Sequence, residues 1–448
     1  MKLEEIYTRP ETRLLRNAHN TINAMGAVGI FILLLGVGFS KAAQNIGMGL
    51  ALLALLSALT LPGHPLRGIL KREPLAWMTG LWILYLVLLA HFTAQLTPDI
   101  AADQYDGAWK LSRLFLVLLV GFWVGRSFSN PVIPAMIVLS SFFIGALIFH
   151  HDQDWPVFGV TQRRLDFWEN PQFYGLLSGT ILLGTMLLTR DIVGHWRHWS
   201  FGPRLLFWMA LLALSLNAFL ISEARGSMAG LLVAVLVAGA LLLARFHKGH
   251  YFTRTHAIVT GVGVVLLAGT LWMAYDRAEE RFSRDLETLQ QAFSSDEDIR
   301  PTNMGIRLVQ WQTAVPLWRE RPIFGWGPGS GEHLHEQAAL PNRYRSAGNH
   351  FHNTHLDLAL WTGGVGLVLF LITLGTWAVS LWQTFLAGGA AGRIMLFGWC
   401  SAIMFLVAGL TQTFITSQVS WFFLGAFLGP PWGIALARRV ARESRDGA

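Results

Sequence analysis

Long apolar stretches recur along this chain, and short polar segments separate them. A helix needs about 20 mostly apolar residues to cross the hydrocarbon layer of a membrane. Stretches near that length, two or three of them short, are Ala24–Ser40, Ile46–Leu61, Leu75–Leu96, Leu111–Gly125, Val132–Phe149, Phe173–Thr189, Leu205–Ile221, Met228–Ala244, Ala257–Tyr275, Leu356–Leu381, Ile394–Thr411 and Val419–Ala437. The pattern predicts an all-α polytopic membrane protein with about 12 transmembrane helices.

The composition supports the same class of protein. Of the 448 residues, 53% are apolar and 14% are charged, whereas a soluble domain has about a quarter charged residues. A soluble multidomain protein is therefore excluded. The single cysteine, Cys400, lies inside an apolar stretch, so the chain can form neither a disulfide framework nor a thiolate metal site. The net charge is +7, but the basic residues are dispersed among short loops, which argues against nucleic-acid binding.

The basic residues are distributed unequally between the two sides of the predicted bundle. With alternating spans, 19 of the 34 Lys and Arg residues lie on one side, six lie on the other, and nine lie in one long loop. Short cytoplasmic loops are the ones enriched in Lys and Arg, so we expect both termini in the cytoplasm. The first apolar stretch is long, and no small-residue cleavage site follows it. We therefore expect a retained span instead of a cleaved signal peptide.

The long loop between spans 9 and 10 is the only sizeable hydrophilic segment, and the same count places it in the periplasm or exterior. Helical spacing of apolar residues predicts two loop helices, over Arg277–Phe293 and Gly305–Trp318. Pro322 and the Gly325–Gly329 turn end the second helix. The predicted divisions are spans 1–9 at residues 1–275, a helical loop domain at 276–354, and spans 10–12 with a cytoplasmic tail at 355–448.

Histidines cluster where the tenth span begins, in the sequence Asn349-His350-Phe351-His352-Asn353-Thr354-His355-Leu356-Asp357. Thr354 followed by Asp357 matches a capping box, which would place His352 just outside a helix N-terminus. The positive end of the helix dipole disfavours imidazolium. We therefore expect His352 to be largely neutral near pH 7 and able to act as a general base.

Two other interpretations of this cluster remain open. With His333, His335, Glu332 and Glu336 upstream, the histidines could form a zinc site, although their spacing matches no recognised ligand pattern. Alternatively, they only form hydrogen bonds at a helix start, which fits His350 and His355 better than His352. An acidic residue such as Asp357, Glu332 or Glu336 also remains a candidate base.

Several arginines share the outer side of the predicted bundle. Arg225 lies in a short loop between spans 7 and 8, Arg163 and Arg164 precede span 6, and Arg307 begins the second loop helix. Charges this close to hydrocarbon are costly and tend to be functional. Guanidinium groups bind phosphate in bidentate geometry. We expect a phosphate-binding site, with a snorkelling or ion-paired arginine as the simpler alternative at each position.

At these residues the sequence resembles the O-antigen ligase and O-antigen polymerase superfamily of bacterial envelope proteins. The ligase pattern of His, a small polar residue, nine residues, Gly, two residues and Gly is matched by His352-Asn353, Gly363 and Gly366. The Arg-Gly turn is matched by Arg225-Gly226, although Ala224 stands where the family often has Ser. Further matching segments are Trp311, Pro322 and Gly325-Trp326-Gly327 in the loop, and Arg164 with Asn170-Pro171 upstream.

This resemblance implies an inverting glycosyltransferase of the bacterial inner membrane that uses no metal or other cofactor. It would move O-antigen polysaccharide from undecaprenyl diphosphate to a sugar hydroxyl on lipid A-core in the periplasm. By the same resemblance, His352 deprotonates or orients the acceptor hydroxyl. Arg225 and Arg307 hold the diphosphate and stabilise its developing charge. Arg164, with Arg163 and Asn353, would contribute binding to the diphosphate and the lipid carrier.

Other functions are compatible with parts of the pattern. An O-antigen polymerase or a protein O-oligosaccharyltransferase would use the same lipid-linked donor, and the His352 motif favours the ligase over both. A twelve-span transporter of lipid-linked glycan is less favoured, because the sequence has neither two matching halves nor charges at mid-span depth. A scaffold protein would not need arginines and histidines gathered on one outer face.

Overall fold

A computed structural model describes residues 13–150, 170–195, 198–247, 283, 286–288, 290, 299–338, 340–344 and 350–446. Every regular element within these ranges is a helix. In chain order the helices are α1 (Arg13–Gly36), α2 (Lys41–Thr60), α3 (Leu66–Arg72), α4 (Pro74–Leu96), α5 (Ala101–Ser112), α6 (Phe115–Ser127), α7 (Ile133–His150), α8 (Pro171–Leu187), α9 (Thr189–Val193), α10 (Phe201–Ser222), α11 (Arg225–His247), α12 (Asn303–Glu320), α13 (Gly331–Gln337), α14 (Thr354–Ser380), α15 (Trp382–Ala387), α16 (Gly389–Ala408) and α17 (Gln418–Asp446), with short 3-10 turns at Pro98–Ile100 and Asn342–Tyr344.

The all-helical membrane class is confirmed. Within the described ranges, nine helical stretches are long and apolar enough to cross a membrane, and Ile133–Ile148 is a shorter apolar helix. All predicted spans except the ninth coincide with a helix, the sixth of them with the 17-residue α8. The ninth, Ala257–Tyr275, lies outside the described residues, so the total of twelve stays a prediction.

The predicted loop helices have different outcomes. The second is present as α12, where the Thr302 side chain caps the N-terminus by accepting a hydrogen bond from the Gly305 amide at 3.0 Å. Its C-terminal end lies just before Pro322, as expected for a residue that disfavours helix in its predecessor. The first, Arg277–Phe293, falls mostly outside the described residues. The proposed division at residues 275 and 354 therefore stays a prediction.

Helix α17 lies at the centre of the bundle, where its membrane-spanning part is buried throughout. It packs against α6 with the backbones in direct contact, since a side chain at Gly433 would overlap the Gly121 carbonyl. Small residues permit this close approach between membrane helices. Helix α16, which precedes α17, is mostly buried as well. The segment that joins them, residues 409–417, is consequently held between two embedded helices.

Ion pairs hold the N-terminal end of α16 and the C-terminal part of α17 in place. The Arg393 guanidinium donates two hydrogen bonds to the Asp191 carboxylate, at 2.7 and 2.6 Å. Arg439 on α17 forms an ion pair with Glu73, which directly precedes α4, through one guanidinium nitrogen. Bidentate arginine–carboxylate pairs restrict both position and orientation. The Arg393–Asp191 pair lies at the opposite end of α16 from residues 409–417.

Candidate active site

His352 lies directly before α14, and Asn353 is the residue that caps this helix. The Asn353 side-chain oxygen accepts hydrogen bonds from the amides of His355 at 3.0 Å and Leu356 at 3.1 Å. The predicted capping box, with Thr354 as cap, is therefore wrong by one residue. The reason is tertiary: the Thr354 hydroxyl instead donates to the Gln412 carbonyl at 2.8 Å and accepts from the Phe414 amide at 3.0 Å.

Asp357 also has a different role from the one expected of a capping residue. One carboxylate oxygen accepts a hydrogen bond from the Phe351 amide at 3.0 Å, and the other accepts from the Thr413 hydroxyl. The side chain is completely buried. Glu332 and Glu336, the other acidic candidates for the base, are exposed on α13. Asp357 thus joins the segment that carries His352 to residues 409–417.

The backbone of His352 adopts the left-handed conformation, with φ of 52°. Residues other than glycine rarely occupy this region, and doing so costs about 1–3 kcal/mol. Two contacts hold it: the His352 amide donates to Nδ1 of His350 at 3.3 Å, and its ring Nδ1 lies 3.0 Å from Oε1 of Gln412. The strained turn aims the ring of His352 at the segment between α16 and α17.

The environment of His352 favours its neutral form. Burial lowers the pKa of His352, and the positive charge of Arg307 and the nearby His335 lower it further, against an opposing hydrogen bond with Gln412. The sequence predicted a neutral imidazole from the helix dipole, whereas here burial is the main cause. The adjacent His350, whose ring centroid is 4.5 Å from that of His352, has its pKa lowered to about 3, also mainly by burial.

Arg307 reaches the same site from the loop. It is on α12, partly buried, and its charge acts on His352. One turn further along α12, Trp311 donates its indole N–H to the Phe351 carbonyl at 2.9 Å, and Gln310 donates to the Tyr344 carbonyl at 3.0 Å. The structure therefore brings together two of the predicted site residues, His352 and Arg307.

Arg225 is the first residue of α11 and is exposed to solvent. The preceding turn contains Glu223 in the left-handed conformation, with φ of 49°. A side chain at Gly226 would overlap the Thr411 hydroxyl, so the Arg-Gly turn lies directly against the segment that bears Gln412. Arg225 and His352 are thus connected through residues 409–413.

The start of α8 adjoins the same turn. The Asn170 side chain caps α8 by accepting from the Phe173 amide at 2.9 Å. Ser227, on the first turn of α11, has its hydroxyl 3.5 Å from the Gln172 carbonyl. Arg163 and Arg164, predicted to bind the lipid carrier, lie outside the described residues.

The motif glycines mark a break in α14. At Gly363 the backbone has φ of 64° and leaves the helical conformation. An unbroken helix would pair the amides of residues 364 and 365 with the carbonyls of 360 and 361. Instead, Gly364 donates to Pro322 at 2.8 Å and Val365 donates to Ile323 at 3.1 Å.

The loop also saturates the carbonyls that this break exposes. The Trp326 amide donates to Leu360 at 2.8 Å, and the Gly327 amide donates to Trp361 at 2.9 Å. Further along, Tyr85 of α4 donates its hydroxyl to the Thr362 carbonyl at 2.5 Å. Each backbone group freed at residues 360–362 thus has a new partner, as the interior of a membrane protein requires.

Two further histidines of the cluster have contacts with backbone carbonyls. His355 Nε2 lies 2.9 Å from the Leu406 carbonyl, and His335 Nε2 lies 2.8 Å from the His350 carbonyl. Among the residues with described positions, no three His, Cys, Asp or Glu side chains form a group able to hold a metal ion. His355 therefore fits the expected hydrogen-bonding role at the helix start.

The polar residues between spans 11 and 12 were missed by the sequence interpretation. Thr411, Gln412 and Thr413 form a short polar run on the same predicted outer side as His352 and Arg225. That shared side was the available signal. Their importance comes from contacts with residues some 56 to 60 positions away along the chain.

Comparison with known families agrees with this region of the chain. A family model described as O-antigen ligase matches residues 209–371. The match includes Arg225, Arg307, His352, Gly363 and Gly366, and it ends before Gln412. No curated protein sequence matches the chain. Residues 209–371 are therefore similar to the O-antigen ligase family.

Proposed function

We propose that this protein is an O-antigen ligase, which transfers O-antigen polysaccharide from undecaprenyl diphosphate to a sugar hydroxyl on lipid A-core. The observation that carries the proposal is the half-buried position of His352 before α14, close enough to Arg307 for the guanidinium charge to add to the burial that lowers the pKa of His352. A neutral imidazole can accept the proton of a hydroxyl group, and a guanidinium beside it is suited to the diphosphate leaving group.

The proposed reaction is a single displacement. His352 takes the proton from the acceptor hydroxyl as its oxygen attacks the anomeric carbon of the lipid-linked sugar. The bond from that carbon to the phosphate oxygen breaks, and its electron pair leaves with undecaprenyl diphosphate. Attack from the face opposite the leaving group inverts the anomeric configuration.

The cations act on the charge that develops on the diphosphate. Fixed positive groups aimed at such charge supply a large part of the rate enhancement in many enzymes. Arg307 and Arg225 have this role in the proposal, with Arg164 and Arg163 assisting at the lipid carrier and Asn353 holding the turn beside His352. The reaction as written needs no protein nucleophile and no metal ion.

The proposal places the protein in the bacterial inner membrane with its site in the periplasm and both termini in the cytoplasm. Two observations support this orientation. Lys and Arg residues are concentrated on the opposite side of the membrane from the site. Residues 222–227, 322–338, 350–353 and 409–417, which all fall on the predicted outer side, meet at one end of the bundle.

Reconstitution tests the activity directly. The purified protein, supplied with lipid-linked glycan and lipid A-core, should form the conjugate without ATP or added divalent metal. His352→Ala should abolish turnover while binding of the lipid carrier remains detectable. Loss of activity with a chelator, restored by zinc, would contradict the metal-independent reaction.

A deletion strain separates the ligase from the polymerase. Loss of a ligase leaves full-length glycan on its lipid carrier, and the core stays bare. Loss of a polymerase instead leaves a single glycan unit attached to the core. Electrophoresis of the lipopolysaccharide distinguishes the two patterns, and the second pattern would overturn the proposed function.

A further inference from the structure

We infer that Gln412 is a positioning residue, whose side-chain carbonyl fixes the tautomer of His352 and leaves Nε2 as the proton acceptor. This inference rests on the proposed function, in which His352 is the general base. It concerns a residue that lies outside the matched family segment. The substrate hydroxyl would meet Nε2, and Gln412 would act only through the ring of His352.

The geometry assigns the proton to one ring nitrogen. Gln412 Oε1 lies 3.0 Å from Nδ1 of His352. An amide oxygen has only lone pairs, so Nδ1 must be the donor in this contact. A neutral imidazole carries a single N–H, and its other nitrogen then has the free lone pair. The contact therefore selects the Nδ1–H tautomer and makes Nε2 basic.

Gln412 is held in place by backbone contacts that do not involve its side chain. Its carbonyl accepts the Thr354 hydroxyl at 2.8 Å, and the Thr354 amide donates to the Gly409 carbonyl at 2.7 Å. On the next residue, the Thr413 hydroxyl donates to Asp357. Gln412 as a residue is only 7% exposed. Because the contacts above use its backbone and the neighbouring Thr413, replacing the Gln412 side chain should leave the segment and the start of α14 in place.

An uncharged partner suits this particular site. The groups whose charges bear on His352 are Arg307 and His335, and the neutral His350 packs beside it. A carboxylate at position 412 would also orient the ring, but it would stabilise imidazolium and repel the anionic diphosphate. The amide of Gln412 also raises the pKa of His352 through its hydrogen bond, but it carries no charge that would pair with imidazolium or repel the diphosphate. It therefore suits a neutral base close to a phosphate-binding cation better than a carboxylate would.

The tautomer can be measured without any turnover. In protein labelled with 15N-histidine, the ring nitrogen shifts separate the two tautomers, and a spectrum of His352→Ala assigns the signal. We expect the Nδ1–H form in the unaltered protein and in Gln412→Glu. Gln412→Ala should shift the signal to a mixture or to the Nε2–H form. An Nε2–H signal in the unaltered protein, or no change in Gln412→Ala, would overturn the inference.

Turnover gives the second readout. Gln412→Ala should reduce kcat roughly 10- to 100-fold, a part of the about 10²–10⁴-fold that a general base contributes, with little change in KM for the lipid-linked donor. Gln412→Glu should recover part of kcat at alkaline pH. The acidic limb of its pH–rate profile, where activity falls as pH decreases, should lie at higher pH than in the unaltered protein. Gln418→Ala is the matched control, because Gln418 contacts Asn45 across the same end of the bundle; it should retain full activity.

The two proposals fail in different ways. Tautomer signals that follow position 412, in a protein that transfers no glycan, would contradict the proposed function alone. Full transfer activity in Gln412→Ala would contradict the positioning role while the ligase assignment stands. A loss of kcat in Gln412→Ala that is equal at every pH, with an unchanged tautomer, would mean a purely structural role and would also overturn the inference.

Discussion

The backbone amide of Trp326 donates to the carbonyl of Leu360 at 2.8 Å, across a break in a membrane helix. Leu360 is eight residues after His352 on the same polypeptide, and Trp326 belongs to the loop that also carries Arg307. The contact therefore fastens the loop to the helix whose N-terminus presents His352. On the other side, the Gln104 side chain of α5 accepts from the Gly329 amide at 3.0 Å. The segment from 322 to 329 is thus fixed between α14 and α5.

Gly363→Ala should destabilise the protein and reduce transfer activity. Its φ of 64° strains any other residue, and a Cβ would overlap the Ile323 carbonyl, so the loop segment must move. We expect a loss of about 1–3 kcal/mol from the backbone conformation alone. Thermal unfolding in detergent, together with a glycan-transfer assay, checks this prediction.

Gly375→Ala is the matched control for that change. Gly375 lies in the same helix with regular backbone, and a Cβ there would meet no atom within 4 Å. Alanine should be neutral or stabilise the helix by about 0.5–1 kcal/mol. If both variants unfold and transfer glycan like the unaltered protein, the break at Gly363 is not what holds the loop.

The break also shows where sequence interpretation stops. Apolar stretches predicted the helices well, because a chain in lipid must satisfy its backbone hydrogen bonds within each helix. Spacing also identified Gly363 and Gly366 as motif positions. The reason for the glycines depends on Pro322 and Tyr85, which are distant along the chain and could not be paired with them by periodicity.

The candidate site, like the helices, could be predicted only in part from the sequence. His352 and Arg307 were identified from residue type, predicted side and motif, and they are close in the structure. Gln412 was missed, because an amide in a short loop has no signature until its partner is known. The helix cap was also placed one residue late, since Thr354 uses its hydroxyl for a contact with Phe414 across the bundle.

Transfer activity should decline in acid with the protonation of His352. Its pKa is lowered below the usual value of 6.5, so the imidazole is neutral at pH 7 and gains a proton only at lower pH. A base works in its unprotonated form, and kcat/KM should therefore fall as pH decreases through a value below 6.5. A pH–rate profile that loses activity already above this value would contradict the assignment.

In Arg307→Ala, the fall of the remaining activity with decreasing pH, which is the acidic limb of the pH–rate profile, should begin at higher pH. Arg307 lowers the pKa of His352 by repelling the imidazolium proton, so removing its charge raises the pKa. Arg307→Lys keeps the charge and should leave the limb near its original position. An unshifted limb in Arg307→Ala would mean that the two residues do not interact in the working enzyme.

Replacing Arg225 or Arg307 should impair use of the lipid-linked diphosphate donor more than use of the acceptor. Arg225→Ala and Arg307→Ala should each reduce kcat/KM for the lipid-linked donor by about 10²–10³-fold, the typical effect of removing one group that stabilises developing charge. Arg319→Ala is the matched control, because Arg319 is exposed near the far end of the same helix as Arg307. Normal kinetics with both Arg225→Ala and Arg307→Ala would reject the phosphate-binding role.

Thr354→Val should disturb the site through Gln412. Thr354 is 1% exposed, and its hydroxyl bridges the Gln412 carbonyl and the Phe414 amide. Valine has a similar shape but no hydroxyl, and each buried group left without a partner costs about 1–3 kcal/mol. We expect a lower unfolding temperature and a reduced kcat, because the Gln412 carbonyl loses its hydrogen bond from Thr354.

Thr373→Val serves as the control in the same helix, since the Thr373 hydroxyl only donates to the Leu369 carbonyl one turn earlier. Equal behaviour of the two valine variants in both assays would show that residues 409–417 do not depend on Thr354.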